Sequence, residues 1–101
     1  MSYLHIENLY KNQTILLFKR VYALEKVHGT SAHVMWREET LHFSSGGAKH
    51  AAFVALFDQP ALAAAFTQLG HVEVLVFGEA YGGSMQGMKH TYGDMLRFIA
   101  F

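Results

Sequence analysis

The sequence predicts an α+β domain in which antiparallel strands are combined with two helices. Runs rich in β-branched and aromatic residues lie in the first and last parts of the chain, and alanine-rich helical stretches lie between them. A chain of 101 residues forms one domain at most. Its residues are 51% hydrophobic and 16% charged, so we expect apolar surface that is covered by more chain or by a partner.

The first half of the chain predicts mainly strands. Residues 2–10 follow no period of two and predict one short helical turn. Residues 14–27 (TILLFKRVYALEKV) predict one or two strands, the second of which ends at Lys26 or Val27. Residues 32–36 and 40–44 flank the polar connection Arg37-Glu38-Glu39, and this arrangement predicts an antiparallel hairpin.

The second half of the chain predicts two helices and two further strands. Residues 44–47 predict a loop, and residues 50–57 have apolar side chains at helical spacing. Residues 60–69 open with proline and stop at Gly70, as helices do, and we expect Asp58 to be an N-cap or a C-terminal breaker around Pro60. The remaining elements are a strand over residues 72–77, a glycine- and methionine-containing loop over 81–94 and a final strand over 96–101.

The composition excludes several classes of protein. The formal net charge is zero, so a strong general attraction to nucleic acid is not expected. Cysteine is absent, which rules out disulfides and thiolate metal sites and fits the cytoplasm. No apolar run approaches the ~20 residues of a membrane helix, and we expect no membrane partner. The polar N-terminus does not resemble a signal peptide.

Three short motifs occur in a defined order along the chain. They are Glu25-Lys26-Val27-His28-Gly29-Thr30, then Val76-Phe77-Gly78-Glu79 with Ala80-Tyr81-Gly82-Gly83, and finally Arg97-Phe98-Ile99-Ala100-Phe101. The first resembles the nucleophile motif of the covalent nucleotidyltransferases, and all three together resemble the ATP-dependent RNA ligases. The chain is therefore similar to the N-terminal, or front, half of a ligase adenylation domain.

The resemblance implies a reaction in which ATP and Mg²⁺ are used to seal RNA ends. Lys26 would attack ATP and carry AMP as a phosphoramidate, which requires a neutral amine. We expect Val27 and Leu24 to surround this amine with apolar groups that lower its pKa. AMP would then pass to an RNA 5′-phosphate, and a 3′-hydroxyl would complete the seal.

The resemblance also implies a role for each residue around Lys26. Glu79 would accept a hydrogen bond from the ribose and Phe101 would stack on the adenine. Gly29 permits a close backbone approach and a positive φ. The other expected contacts are Glu25 with the adenine edge, His28 with Lys26 or RNA, Thr30 with the nucleotide, Ser31 with the RNA end, and Lys49 as a substitute for a basic RNA-binding residue.

Several alternatives stay open at this point. The later lysine motifs of the family do not occur in residues 1–101, so the chain predicts a partial domain. One alternative is a segment that is catalytic. The other is a non-catalytic fragment, truncated or split, which self-associates or needs a missing C-terminal half. A DNA ligase or an mRNA capping enzyme shares the first motif but usually has aspartate at the position of His28. An unrelated small binding protein that matches the three motifs by chance is the last alternative.

Simpler structural roles are also open for individual residues. Lys26 could be a solvated lysine at a strand end, Glu79 could cap a turn, and Phe101 could pack into the core. The histidines at positions 33, 42 and 50 lack the spacing of a metal site, so no protein metal site is expected.

Overall fold

The computed structural model describes residues 3–101 and contains one four-stranded sheet. The strands are β1 (Thr30–Arg37), β2 (Thr40–Ser45), β3 (Glu73–Tyr81) and β4 (Arg97–Ala100). Their order across the sheet is β2-β1-β3-β4, and every neighbouring pair is antiparallel. Together with three α-helices, the sheet confirms the predicted α+β class.

The hairpin between β1 and β2 turns on two glutamates. Glu38 and Glu39 have φ angles of 52° and 58°, and Arg37 pairs with Thr40 across the turn. Two successive positive φ angles are typical of the mirror-image turns that match the twist of a hairpin. The predicted hairpin is confirmed, but its connection is one residue shorter than predicted because Arg37 belongs to β1.

The two longer helices follow β2 in the chain. α1 (His50–Val54) is shorter than the predicted helix over residues 50–57, whereas α2 (Gln59–Leu69) has nearly the predicted bounds. The Asp58 carboxylate accepts a hydrogen bond from the Ala61 N–H at 3.2 Å, and Gly70 ends the helix at a φ of 74°. None of the helices formed by residues 3–101 has the length and apolar character needed to span a membrane.

The core lies between these helices and one face of the sheet. Ala32, Val34 and Trp36 alternate along β1 and are all buried. Phe53 of α1 is fully buried, and Phe66 of α2 stacks on Trp36 with ring centroids 6.0 Å apart. Since side chains alternate along a strand, the odd-numbered residues of β1 lie on the other face of the sheet, which we call the open face.

The prediction of strands over residues 14–27 is wrong. Residues Thr14–Leu17 form a 3₁₀ helix, and residues 18–28 pair with no strand. The composition favours a strand, but strands form only where a neighbour supplies hydrogen bonds. β1 already has partners on both sides, and no edge strand of the sheet pairs with residues 18–28.

Two other local predictions need correction. Within residues 3–10 there is no helix; the hydrogen-bonded turn begins at Asn8, whose side chain accepts from the N–H groups of Tyr10 and Lys11. Ser2 lies outside the described residues. The strand predicted over 72–77 continues to Tyr81, and the loop after it contains a 3₁₀ turn (Met85–Gly87) and the short helix α3 (Lys89–Tyr92).

Candidate functional site

Among residues 3–101, Glu79 is the one charged residue that is buried, with 7% of its surface exposed. It lies near the end of β3. Removing a carboxylate from water is costly unless hydrogen bonds compensate. Its Oε1 accepts from the Gly29 N–H at 3.1 Å, and its Oε2 accepts from the Tyr3 hydroxyl at 2.9 Å. Both oxygens are thus held by groups from distant parts of the chain.

Gly29 brings the first motif against β3. A Cβ atom at this position would lie 2.1 Å from the Ala80 carbonyl oxygen, so a side chain cannot fit there. Gly29 is not among the glycines with positive φ in the described chain, so the backbone does not use the positive φ that glycine permits. Glycine is required here for the expected close approach of this backbone to β3, which brings the Gly29 N–H within hydrogen-bond distance of Glu79.

The side chains of Thr30 and Ser31, which follow Gly29, lie on opposite faces of the sheet. Ser31 pairs with Glu79 in the register of β1 and β3, so the two side chains share the open face. Thr30 pairs with Ala80, and its Oγ1 would lie 2.7 Å from a Cβ atom at Gly46. Thr30 therefore faces the loop after β2, and the structure does not place it beside the Glu79 carboxylate.

Phe101 lies at the same edge of the open face. Its N–H donates to the Phe77 carbonyl at 3.1 Å, which continues the pairing of β3 with β4. The residue is 69% exposed, and its ring meets the ring of Tyr3 edge-on, with centroids 4.9 Å apart. An exposed ring beside a fixed carboxylate is a suitable surface for a flat base.

Tyr3 belongs to this cluster, although no sequence motif includes it. It lies 76 residues from Glu79 along the chain, and no local pattern predicts a contact over that separation. Because the neutral phenol donates to the carboxylate, the hydrogen bond raises the pKa of Tyr3 above its ordinary value. Burial and the negative charge of Glu79 act in the same direction.

Glu25 and Lys26 are exposed, and neither has a hydrogen-bond or ion-pair partner within residues 3–101. Leu24 is 86% exposed, so the apolar enclosure expected around Lys26 is not formed by the described chain. Lys26 still precedes Gly29, whose N–H binds the buried carboxylate, by only three residues. Three residues span at most about 10 Å, which limits the separation between the Cα atoms of Lys26 and Gly29.

His28 is held through its backbone. Its N–H donates to the Tyr92 hydroxyl at 3.2 Å, and its side chain is exposed. Tyr92 in turn meets Tyr81 edge-on, with centroids 5.3 Å apart. The first motif is therefore attached to the rest of the molecule at two successive amides.

Lys49 lies elsewhere. It is exposed and precedes α1, which packs on the face of the sheet opposite to Glu79. The structure thus does not bring Lys49 to the cluster of Glu79, Gly29 and Phe101.

The open face also carries a histidine beside an aromatic ring. His33 meets Phe77 edge-on at 6.0 Å, and burial lowers the pKa of this histidine. In residues 3–101 no three histidine or carboxylate side chains are grouped as metal ligands. A separate cavity of about 320 Å³ lies at the far end of β1, beside Trp36, Glu38 and His71.

Comparison of the chain with protein-family models, with curated protein sequences and with solved structures finds no match to any of them.

Proposed function

We propose that this chain is an RNA ligase-type nucleotidyltransferase segment, which binds ATP at Glu79 and Phe101 and transfers AMP to Lys26. One observation carries the proposal: the N–H of Gly29 donates to the buried carboxylate of Glu79. Two motifs that are 50 residues apart in the chain, and that resemble parts of one nucleotide site, meet at this hydrogen bond.

The cluster suits the nucleoside part of ATP. A carboxylate whose position is fixed by two donors still has lone pairs that accept hydrogen bonds from ribose hydroxyls. The exposed ring of Phe101 offers a face on which adenine stacks, as aromatic side chains do with bases. Ser31 lies on the same face next to Glu79 and offers a hydroxyl to the nucleotide or to an RNA end.

The transfer step forms one bond and breaks one. The Lys26 Nζ attacks the α-phosphorus, a nitrogen–phosphorus bond forms, and the bond from that phosphorus to the bridging oxygen breaks. Pyrophosphate leaves with that oxygen, and the amine loses its proton to solvent. Mg²⁺ that enters with ATP would supply positive charge to the phosphates.

RNA ends are the proposed acceptors of AMP. AMP passes to an RNA 5′-phosphate, and a 3′-hydroxyl then displaces it to seal the strand. We place this reaction in the cytoplasm, in keeping with a chain that has no cysteine.

Covalent labelling tests the proposal. The chain is incubated with Mg²⁺ and ATP labelled at the α-phosphate, and label on the protein that survives alkali and is released by acid, as a phosphoramidate is, is measured. We expect label on the wild type and on Lys19→Ala, an exposed lysine outside the motif, but not on Lys26→Ala. Equal label on Lys26→Ala would contradict the role of this amine.

A non-catalytic segment is the second candidate, and the exposure of Lys26 favours it. In that case a partner chain supplies the groups that enclose the amine, or the segment only binds nucleotide. ATP binding without covalent label would support this candidate, and neither binding nor label would overturn both. Transfer of AMP to DNA 5′-phosphates, or of GMP from GTP to RNA 5′-diphosphate ends, in place of AMP transfer to RNA 5′-phosphates, would point to a DNA ligase or capping-type relative.

A further inference from the structure

The segment that carries Lys26 has few attachments. Residues 18–28 belong to no strand or helix, and most of their side chains are exposed. Within the described chain, hydrogen bonds hold the end of this segment at two adjacent amides. The Gly29 N–H donates to Glu79, and the His28 N–H donates to the hydroxyl of Tyr92.

Tyr92 is itself firmly held. It ends α3, where its N–H donates to the Met88 carbonyl at 3.0 Å. The loop is closed behind it by a hydrogen bond from the Gly83 N–H to the Gly93 carbonyl at 2.9 Å. The ring of Tyr81 meets the ring of Tyr92 nearly at right angles, an arrangement that aromatic pairs prefer.

Both attachments are supported by the same strand. Glu79 and Tyr81 are two residues apart on β3, so their side chains lie on the same face of the sheet. Glu79 binds the segment directly, whereas Tyr81 supports it through Tyr92. A group built on a rigid strand is placed more accurately than one built on a loop.

We propose that Tyr92 is a positioning residue for Lys26: its hydroxyl fixes the backbone of the nucleophile segment at His28. This inference rests on the proposed function. With both attachments, the segment leaves the sheet in one direction. Lys26 then lies two residues before the anchored amide of His28. With Gly29 alone, the segment pivots about a single hydrogen bond, and Lys26 spends less time at the α-phosphate.

Tyr92→Phe tests the inference, because it removes the hydroxyl and keeps the ring against Tyr81. We expect the maximal rate of adenylate formation to fall about 3- to 10-fold, the range of one lost hydrogen bond. The ATP concentration at half-maximal rate should stay within about 2-fold, since Glu79 and Phe101 are untouched. The matched control is Tyr22→Phe, an exposed tyrosine whose hydroxyl has no hydrogen-bond partner in residues 3–101.

Hydrogen exchange of the His28 amide gives a second readout that does not depend on catalysis. Exchange should be faster in Tyr92→Phe than in the wild type and unchanged in Tyr22→Phe. An unchanged adenylation rate, or a slower rate accompanied by unchanged His28 exchange, would overturn the positioning role while leaving the proposed function in place. A wild-type chain that forms no adenylate would overturn the proposed catalysis, and with it the role of Tyr92, whatever the exchange data show.

Discussion

The carboxylate of Glu79 is the residue on which the candidate site depends. A buried charge persists because its hydrogen bonds offset the loss of water, and here the donors are the Gly29 backbone and the Tyr3 hydroxyl. The same oxygens are available to a ligand that donates hydrogen bonds. The burial of Glu79 thus reflects its place between three segments of the chain.

Replacing Glu79 by glutamine should weaken ATP binding about 10-fold, because a charge-assisted hydrogen bond to the ribose becomes a neutral one. Titration calorimetry with ATP measures the change. Glu73→Gln is the matched control, since Glu73 lies on the same strand, is exposed, and faces Arg37 at 3.6 Å. Equal losses in the two variants would show that Glu79 has no special role.

The pKa of Tyr3 reports directly on its contact with Glu79. Since the folded pKa is raised, the contact contributes stability below the ordinary phenol pKa of about 10 and loses it as the pH rises through the raised value. The absorbance of phenolate during an alkaline titration, taken as the difference between wild type and Tyr3→Phe, isolates this group. We expect Glu79→Gln to lower the pKa of Tyr3; no change would mean that the two side chains do not interact in solution.

At the scale of elements, the sequence predicts structure wherever the signal is local. Asp58, Pro60 and Gly70 mark both ends of α2, and a short polar connection marks the hairpin. Residues 14–27 have a strand-like composition, yet strand formation depends on a neighbour that the sequence does not specify. Predictions based on composition alone therefore fail where pairing decides the structure.

The candidate site was predictable in part for the same reason. Motif order indicated Gly29 and Glu79, and the structure brings them into contact. The contacts of Tyr3 and Tyr92 join residues 76 and 64 positions away from their partners, and no periodicity or turn signal reports such pairs. The side-chain direction of Thr30 likewise depends on the register of β1 and β3.

The packing of the nucleophile segment against β3 should not tolerate a side chain at position 29. In Gly29→Ala the new methyl group would meet the Ala80 carbonyl oxygen, so the segment must move away and Glu79 loses a donor. We expect a loss of about 1–3 kcal/mol in the free energy of unfolding, together with weaker ATP binding. Urea denaturation measures the first quantity.

Gly47→Ala is the control for this variant. Its methyl group would lie 3.4 Å from the Thr30 hydroxyl oxygen, at the edge of ordinary contact, and Gly47 has no positive φ. We expect little change in stability. Comparable losses in both variants would indicate a general cost of replacing glycine and would remove the argument for close approach at Gly29.

The molecule as a whole is less compact than its length suggests. Its radius of gyration is 16.0 Å, whereas a compact domain of about 100 residues has about 13 Å. Exposed apolar side chains are concentrated before the sheet. They include Leu4, Ile6, Tyr10, Leu16, Leu17, Phe18, Tyr22 and Leu24.

This surface leads us to expect self-association of the isolated chain, because large exposed apolar patches are usually covered. Light scattering after size-exclusion chromatography should give a mass that rises with protein concentration. Replacing Leu16, Leu17 and Phe18 together by serine should reduce the rise. Because these side chains are exposed, we expect the variant to keep the core fold. A strictly monomeric wild type would contradict this expectation.

The most direct measurement of the central claim is the location of ATP on the folded chain. In an amide NMR titration with ATP, we expect the largest shifts at Gly29, at Glu79 and at Phe101. The cavity beside Trp36 and His71 lies about 20 Å away along β1, and its amides should not respond. Shifts confined to that cavity, or none at saturating ATP, would contradict a nucleotide site built on the Glu79 carboxylate.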